Sequence, residues 1–111
     1  MNQVRQFKAS VFQALAHPTR LQVLEVLRDG ELSVGAIRAK VQLDQANLSQ
    51  HLAKLRLGGL VANRKEGNQV FYSVRDPILF EVLDLVRRFA TAHLHEHAAL
   101  LARFKDEESA P

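Results

Sequence analysis

A chain of 111 residues with 47% apolar side chains has room for one hydrophobic core, is too apolar for wholesale disorder, and contains no apolar run near the roughly 20 residues of a membrane helix. The absence of cysteine excludes a disulfide scaffold, a thiolate zinc finger, a thiol nucleophile and a thiol redox switch. Charge is unevenly placed: 11 basic and 5 acidic residues up to Arg75, then 4 basic and 7 acidic from Asp76 onward, so the first part suits a polyanionic partner.

One domain is expected over 1–111. The start, Met1-Asn2-Gln3-Val4-Arg5, has no apolar stretch behind its charge, so a secretory signal is not expected and the expected compartment is the cytoplasm.

Val4, Phe7, Val11, Ala14 and Leu15 recur at three- and four-residue steps and predict a helix over 3–16. His17-Pro18 ends it, and the proline fits the first turn of a second helix running to about Arg28, where Asp29-Gly30 stops it. Ser33 is suited to cap a short third helix over 33–40, and Asp44 a fourth over 45–57 with Leu48, Leu52 and Leu55 inward. The period then changes to two. Val61–Lys65 and Gln69–Val74 flank Glu66-Gly67-Asn68, a hairpin spanning 61–74. Asp76-Pro77 opens a last helical stretch over 77–104, and 105–111 reads as a polar, frayed tail.

Two short capped helices joined by a tight polar turn and followed by a basic hairpin predict a mainly α fold with a small β-hairpin wing, a winged helix-turn-helix. The helix-turn-helix spans 33–57. Removing the inward leucines from the fourth helix leaves amides and a hydroxyl in its N-terminal half: Gln45, Asn47, Ser49 and Gln50. Glutamine and asparagine bond adenine edges bidentately and serine is permissive, so these four are the expected base readers. His51, Lys54 and Arg56 in its second half, with Arg64 and Lys65 beside the hairpin turn, are the expected phosphate contacts on double-stranded DNA, His51 alternatively packing beneath the helix. A solvated polar face would look similar in isolation. Six cations against the single acid Asp44 between Arg38 and Lys65 favour DNA, and Asp44 is expected to cap the helix rather than touch phosphate.

The chain resembles the ArsR/SmtB winged-helix repressors. Matching stretches are Ala14-Leu15-Ala16-His17-Pro18-Thr19-Arg20-Leu21, Glu31–Val34, Asn47-Leu48-Ser49-Gln50-His51-Leu52-Ala53-Lys54-Leu55, Gly59-Leu60-Val61 and Glu66–Tyr72, in the right order over about residues 12–75. The resemblance implies a homodimeric repressor on an imperfect palindrome, released by an inducer that is often a metal ion. The chain departs from the family at both usual metal sites. Ser33 and Gly35 stand where the first has cysteines, and Asp76, Ile78, Phe89 and Ala92 stand where the second has Asp, His, His and His or Glu.

A dimer also follows from size, since a module this small reads few base pairs and two copies double the contacts. Its expected seam joins the first and last helices through Val4, Phe7, Val11, Val82, Val86 and Phe89. On the last helix His93 and His97 lie four apart with Glu96 beside them. That spacing suits a divalent transition metal (zinc, nickel or cobalt) with a partner subunit completing the shell, or equally plain interface histidines. His17 reads as a helix-start residue.

An enzyme is not expected. After His95-Glu96 the zincin spacing fails at Ala99, and no P-loop or nucleophile elbow occurs. The remaining alternatives are a winged helix that binds protein partners and a repressor that answers to no inducer.

Overall fold

The computed structural model describes residues 2–109. Five helices and three short strands follow one another as α1 (Gln3–Leu15), α2 (Pro18–Val26), β1 (Leu32–Ser33), α3 (Val34–Val41), α4 (Gln45–Leu57), β2 (Val61–Glu66), β3 (Gln69–Val74) and α5 (Ile78–Ser109). By internal contacts the chain divides after Pro77 into two compact units.

Each helix start of the first unit carries a side-chain acceptor for an otherwise unpaired backbone N–H. Asn2 accepts from Arg5, His17 Nδ1 from Thr19 at 3.1 Å, Ser33 from Ala36, and Asp44 from Asn47 at 2.8 Å. The expected caps at Ser33 and Asp44 are therefore present, and His17 starts α2 just ahead of Pro18. The end of α1 is closed by a charge. Arg20 is 8% exposed and donates from Nε to the Ala14 carbonyl at 2.7 Å and from Nη2 to the Gln13 carbonyl at 3.3 Å.

The core of this unit is a cluster of aliphatic side chains with almost no exposure: Val23 and Leu24 from α2, Ile37 from α3, Leu48, Leu52 and Leu55 from α4, and Val61 from β2. All three leucines expected to face inward on α4 do so. Between α3 and α4 the chain turns through Gln42 in the left-handed region (φ 56), an unusual setting for a side chain larger than glycine. After α4, Gly58 and Gly59 let the chain pass close to α1. A Cβ on Gly58 would stand 2.7 Å from the Ala14 Cβ, and Gly59 has φ 79 with the Phe7 ring beside it.

The sheet has three strands where the hairpin alone was expected. Its order is β1-β3-β2, antiparallel throughout, with Leu32 opposite Tyr72 and Ser33 opposite Phe71. β1 is too short to show a period-two pattern. The hairpin loop is tighter than expected: Glu66 pairs with Gln69, leaving only Gly67-Asn68, with Gly67 at φ 60.

α5 runs without interruption for 32 residues, about 48 Å. The expected frayed tail is corrected over Lys105–Ser109, which continues the helix; Ala110 and Pro111 lie outside the described residues. No Gly or Pro breaks the stretch, so backbone hydrogen bonding propagates into its polar end.

Candidate nucleic-acid interface

The three buried leucines fix how α4 is rotated. At about 100° per residue, burying Leu48, Leu52 and Leu55 turns Ala46 and Gln50 directly outward. Gln45, Ser49 and Arg56 then fall on one flank of that outer face, Asn47 and Lys54 on the other. Gln45, Asn47, Ser49, Gln50, Lys54 and Arg56 are all exposed. They span more than half of the helix circumference: Lys54 and Arg56 stand about 160° apart, and Gln45 lies beside the buried stripe at the helix start.

Not all are equally free to act. Asn47 Nδ2 donates to Asp44 Oδ2 at 2.7 Å while its backbone N–H donates to Asp44 Oδ1, so half of its side-chain amide is committed to the cap. These bonds, the backbone one foremost, hold the Asp44 carboxyl below its ordinary range, so it stays charged as a cap. Among the described residues Lys54, Arg56 and Lys65 form no ion pair.

Of its two expected roles, His51 takes the packing one. It is half-buried against His17, with ring centroids 4.4 Å apart, and its buried Nδ1 has no hydrogen-bond partner. Burial, reinforced by the neighbouring His17, Arg20 and Lys54 charges, pushes its pKa below 6.5, so near neutral pH it carries no charge to offer. It packs beneath the outer face of α4.

Arg64, expected at phosphate, already has partners in its own chain. Its guanidinium donates to both Glu31 oxygens from Nε at 2.9–3.0 Å, to Glu31 Oε1 from Nη2 at 2.6 Å, and to Glu66 Oε2 from Nη1 at 2.7 Å. It also lies over the Phe71 ring, 4.6 Å from the centroid. Its pKa is raised and that of Glu31 lowered, chiefly by the hydrogen bonds between them. The sequence placed Glu31 33 residues away, so its charge was not counted against the wing. Lys65, the next residue along β2, projects to the opposite face of the sheet.

A cleft of about 230 Å³ opens between the wing tip and the starts of α3 and α4, lined among others by Gly35, Arg38, Gln45, Asn68 and Gln69. Arg38, Asn68 and Gln69 are additions to the expected site. Their closeness to Gln45 depends on how the hairpin folds back, which no local pattern reveals.

The residues matched by a general helix-turn-helix domain family run from 15 to 64, which contain α2 to α4 and part of the wing. An uncharacterized helix-turn-helix regulator of Mycobacterium tuberculosis, Rv0081, is 40% identical over 85% of this chain and 83% of its own. Its crystal structure superposes with a TM-score of 0.75 over 88% of this chain and 99% of that one, at 36% identity. The chain belongs to the helix-turn-helix transcriptional regulators.

Other members show the range of roles. The transcriptional activator HlyU of Vibrio cholerae is 44% identical over 70% of this chain and 72% of its own. A biofilm growth-associated repressor of Agrobacterium fabrum is 43% identical over 61% and 58%. The solution structure of Mb0332 from Mycobacterium bovis, described as a homodimeric winged helix-turn-helix DNA-binding domain and possible ArsR-family regulator, matches at 34% identity, a TM-score of 0.75 and 85% and 87% coverage. These regulators are not named as enzymes, and no helix among the described residues is long and apolar enough to cross a membrane.

Apolar side chains remain uncovered on α1 and α5, each considered by itself. Val4 (66% exposed), Phe7 and Phe12 stand out from α1, with Val11 half-buried. On α5, Val82 and Val86 are exposed, as are Leu85, Phe89 (69%), Leu94, Leu100, Leu101 and Phe104. On the same helix His93 Nδ1 lies 3.5 Å from Glu96 Oε2, and its ring meets Phe89 at 4.7 Å. Among the described residues no three His, Asp or Glu side chains are assembled to hold a metal ion, so His93, Glu96 and His97 do not form such a set within one chain.

Proposed function

We propose that this helix-turn-helix regulator is an ArsR-type repressor that binds double-stranded DNA as a homodimer, with α4 in the major groove. The observation that carries this reading is the outer face of α4, where uncommitted amides and a hydroxyl sit beside cations that have no acidic partner. Gln50, at its centre, Gln45, Ser49 and the free half of the Asn47 amide read base edges. Lys54, Arg56 and Lys65 hold phosphates and set register.

Homodimerisation is supported by the apolar side chains left open on α1 and α5 and by the homodimeric state given for the M. bovis relative. Val4, Phe7, Val11, Val82, Val86 and Phe89 then line the seam. A two-fold dimer places two α4 helices about 34–36 Å apart, one turn of duplex, and so calls for a palindromic operator.

Fluorescence anisotropy with the duplex immediately upstream of the protein's own gene tests this reading, with sedimentation reporting the oligomer. Binding as a dimer, weakened by added salt and stronger than to a mixed-sequence duplex, is the expected result. Salt-insensitive or absent binding would instead favour a winged helix that docks protein partners. Release by an inducer is part of the proposal. Repeating the titration in chelator and then with zinc, nickel or cobalt tests whether His93, Glu96 and His97, completed by a partner copy, supply it.

A further inference from the structure

A charged contact joins the wing to the residue ahead of β1, beside the backbone pairing of β1 with β3 and the packing of β2 on α4. The sheet order places β3 between β1 and β2, and Phe71 on β3 faces Ser33 on one side and Arg64 on the other. Glu31 immediately precedes β1. The Glu31–Arg64 contact therefore crosses the middle strand from one edge to the other, with the guanidinium lying over Phe71 on the way. Glu66, two residues along on the same face of β2, accepts from Nη1 at 2.7 Å. Each of the three guanidinium nitrogens thus donates to a protein carboxylate, and one face lies over a ring, while the side chain stays half exposed. β1 runs directly into Ser33, the cap of α3, so whatever holds β1 to β2 also holds the wing to the first helix of the helix-turn-helix.

We propose that Glu31 and Arg64 are positioning residues that fix the wing relative to α3 and α4, and that Arg64 does not hold a phosphate. The proposal deepens the DNA-binding reading: the wing meets the backbone through Lys65 and its polar tip, and Arg64 sets where those groups stand. A planar, bidentate fork over an aromatic ring fixes an angle in a way that a lysine ammonium does not, so Arg64→Lys is expected to act like a loss rather than a conservative change.

The test uses the whole protein and two readouts. Amide hydrogen exchange of β2 and β3, measured without DNA, is expected to speed up several-fold in Glu31→Gln, Arg64→Gln and Arg64→Lys alike. Exchange unchanged in both single glutamine variants would overturn the proposal, whether or not the protein binds DNA. The second readout is binding to a mixed-sequence duplex of about three helical turns across a salt series. Arg64→Gln is expected to leave the salt slope unchanged and to weaken binding no more than Glu31→Gln does. A slope lower by about 0.9 in Arg64→Gln, with tighter binding in Glu31→Gln, would show Arg64 to be a phosphate contact and overturn the proposal. Failure of every variant and of the parent to bind DNA would remove the DNA-binding reading while the exchange data still decide whether the wing is tied.

Discussion

The recognition helix and the wing carry similar cations in sequence and use them differently in the fold. On α4, Lys54 and Arg56 sit near the C-terminal end on opposite flanks of the outer face, and neither meets a carboxylate among the described residues. On β2, Arg64 donates to Glu31 and Glu66 and lies over the Phe71 ring while still half exposed, and Lys65 stands on the other face of the sheet. Counting Arg64 and Lys65 together suggests a wing tip of charge +2. Among the described residues the fold leaves Lys65 there without an ion pair. A charge counts toward a polyanion partner only when its own protein has not already taken it.

The comparison breaks most severely if α4 loses its seat. Leu48 is fully buried, so Leu48→Ala should destabilise the first unit by about 2–5 kcal/mol and be visible as a lower midpoint in chemical denaturation. Gly58→Ala attacks the same seat from outside, because the new methyl would stand 2.7 Å from the Ala14 Cβ with little room to move. About 1–3 kcal/mol is expected in the same assay. Gln50→Ala leaves stability alone and sharpens the contrast between reading and holding. It should cost about 1–3 kcal/mol on the operator and relax preference at one base pair, measured by anisotropy on a panel of single-base variants. Asp44→Ala removes the α4 cap and frees the Asn47 amide; a loss of about 1 kcal/mol in stability is expected from thermal melts.

The smallest effect is a pH dependence from His51. Its folded pKa lies below 6.5. Above that value neither the folded nor the unfolded chain carries the proton, and stability does not depend on this group. As pH falls through about 6.5 the unfolded chain takes up a proton that the folded chain refuses, so stability declines. His51→Phe should flatten this part of the stability curve between pH 7 and 5, measured by denaturation at each pH.

Much of this was legible in the sequence because it is local. The capping residues Ser33 and Asp44, the leucine stripe of α4, the change to period two at Val61 and the Pro77 boundary each depend on neighbours a few residues away. The outer face of α4 followed directly from the stripe. What escaped depends on distant pairing. β1 exists only because β3 is there to bond it, and its two residues carry no pattern of their own. Arg64 looked free because Glu31 approaches it from the residue ahead of β1, far away in sequence. The two roles of His51 could not be separated because nothing in the spacing of α4 shows that His17 covers it. The helical 105–109 segment was missed for the opposite reason: its composition suggested fraying, yet an uninterrupted helix simply continues into it.

The most direct test of the contrast between α4 and the wing is the salt slope of DNA binding in three variants, Lys54→Ala, Arg56→Ala and Arg64→Gln, on one duplex under one set of conditions. Each α4 variant should lower the slope by about 0.9 while Arg64→Gln leaves it where the parent has it. A slope lowered by Arg64→Gln and untouched by Lys54→Ala and Arg56→Ala would contradict the account, because the phosphates would then be held by the wing and not by the recognition helix.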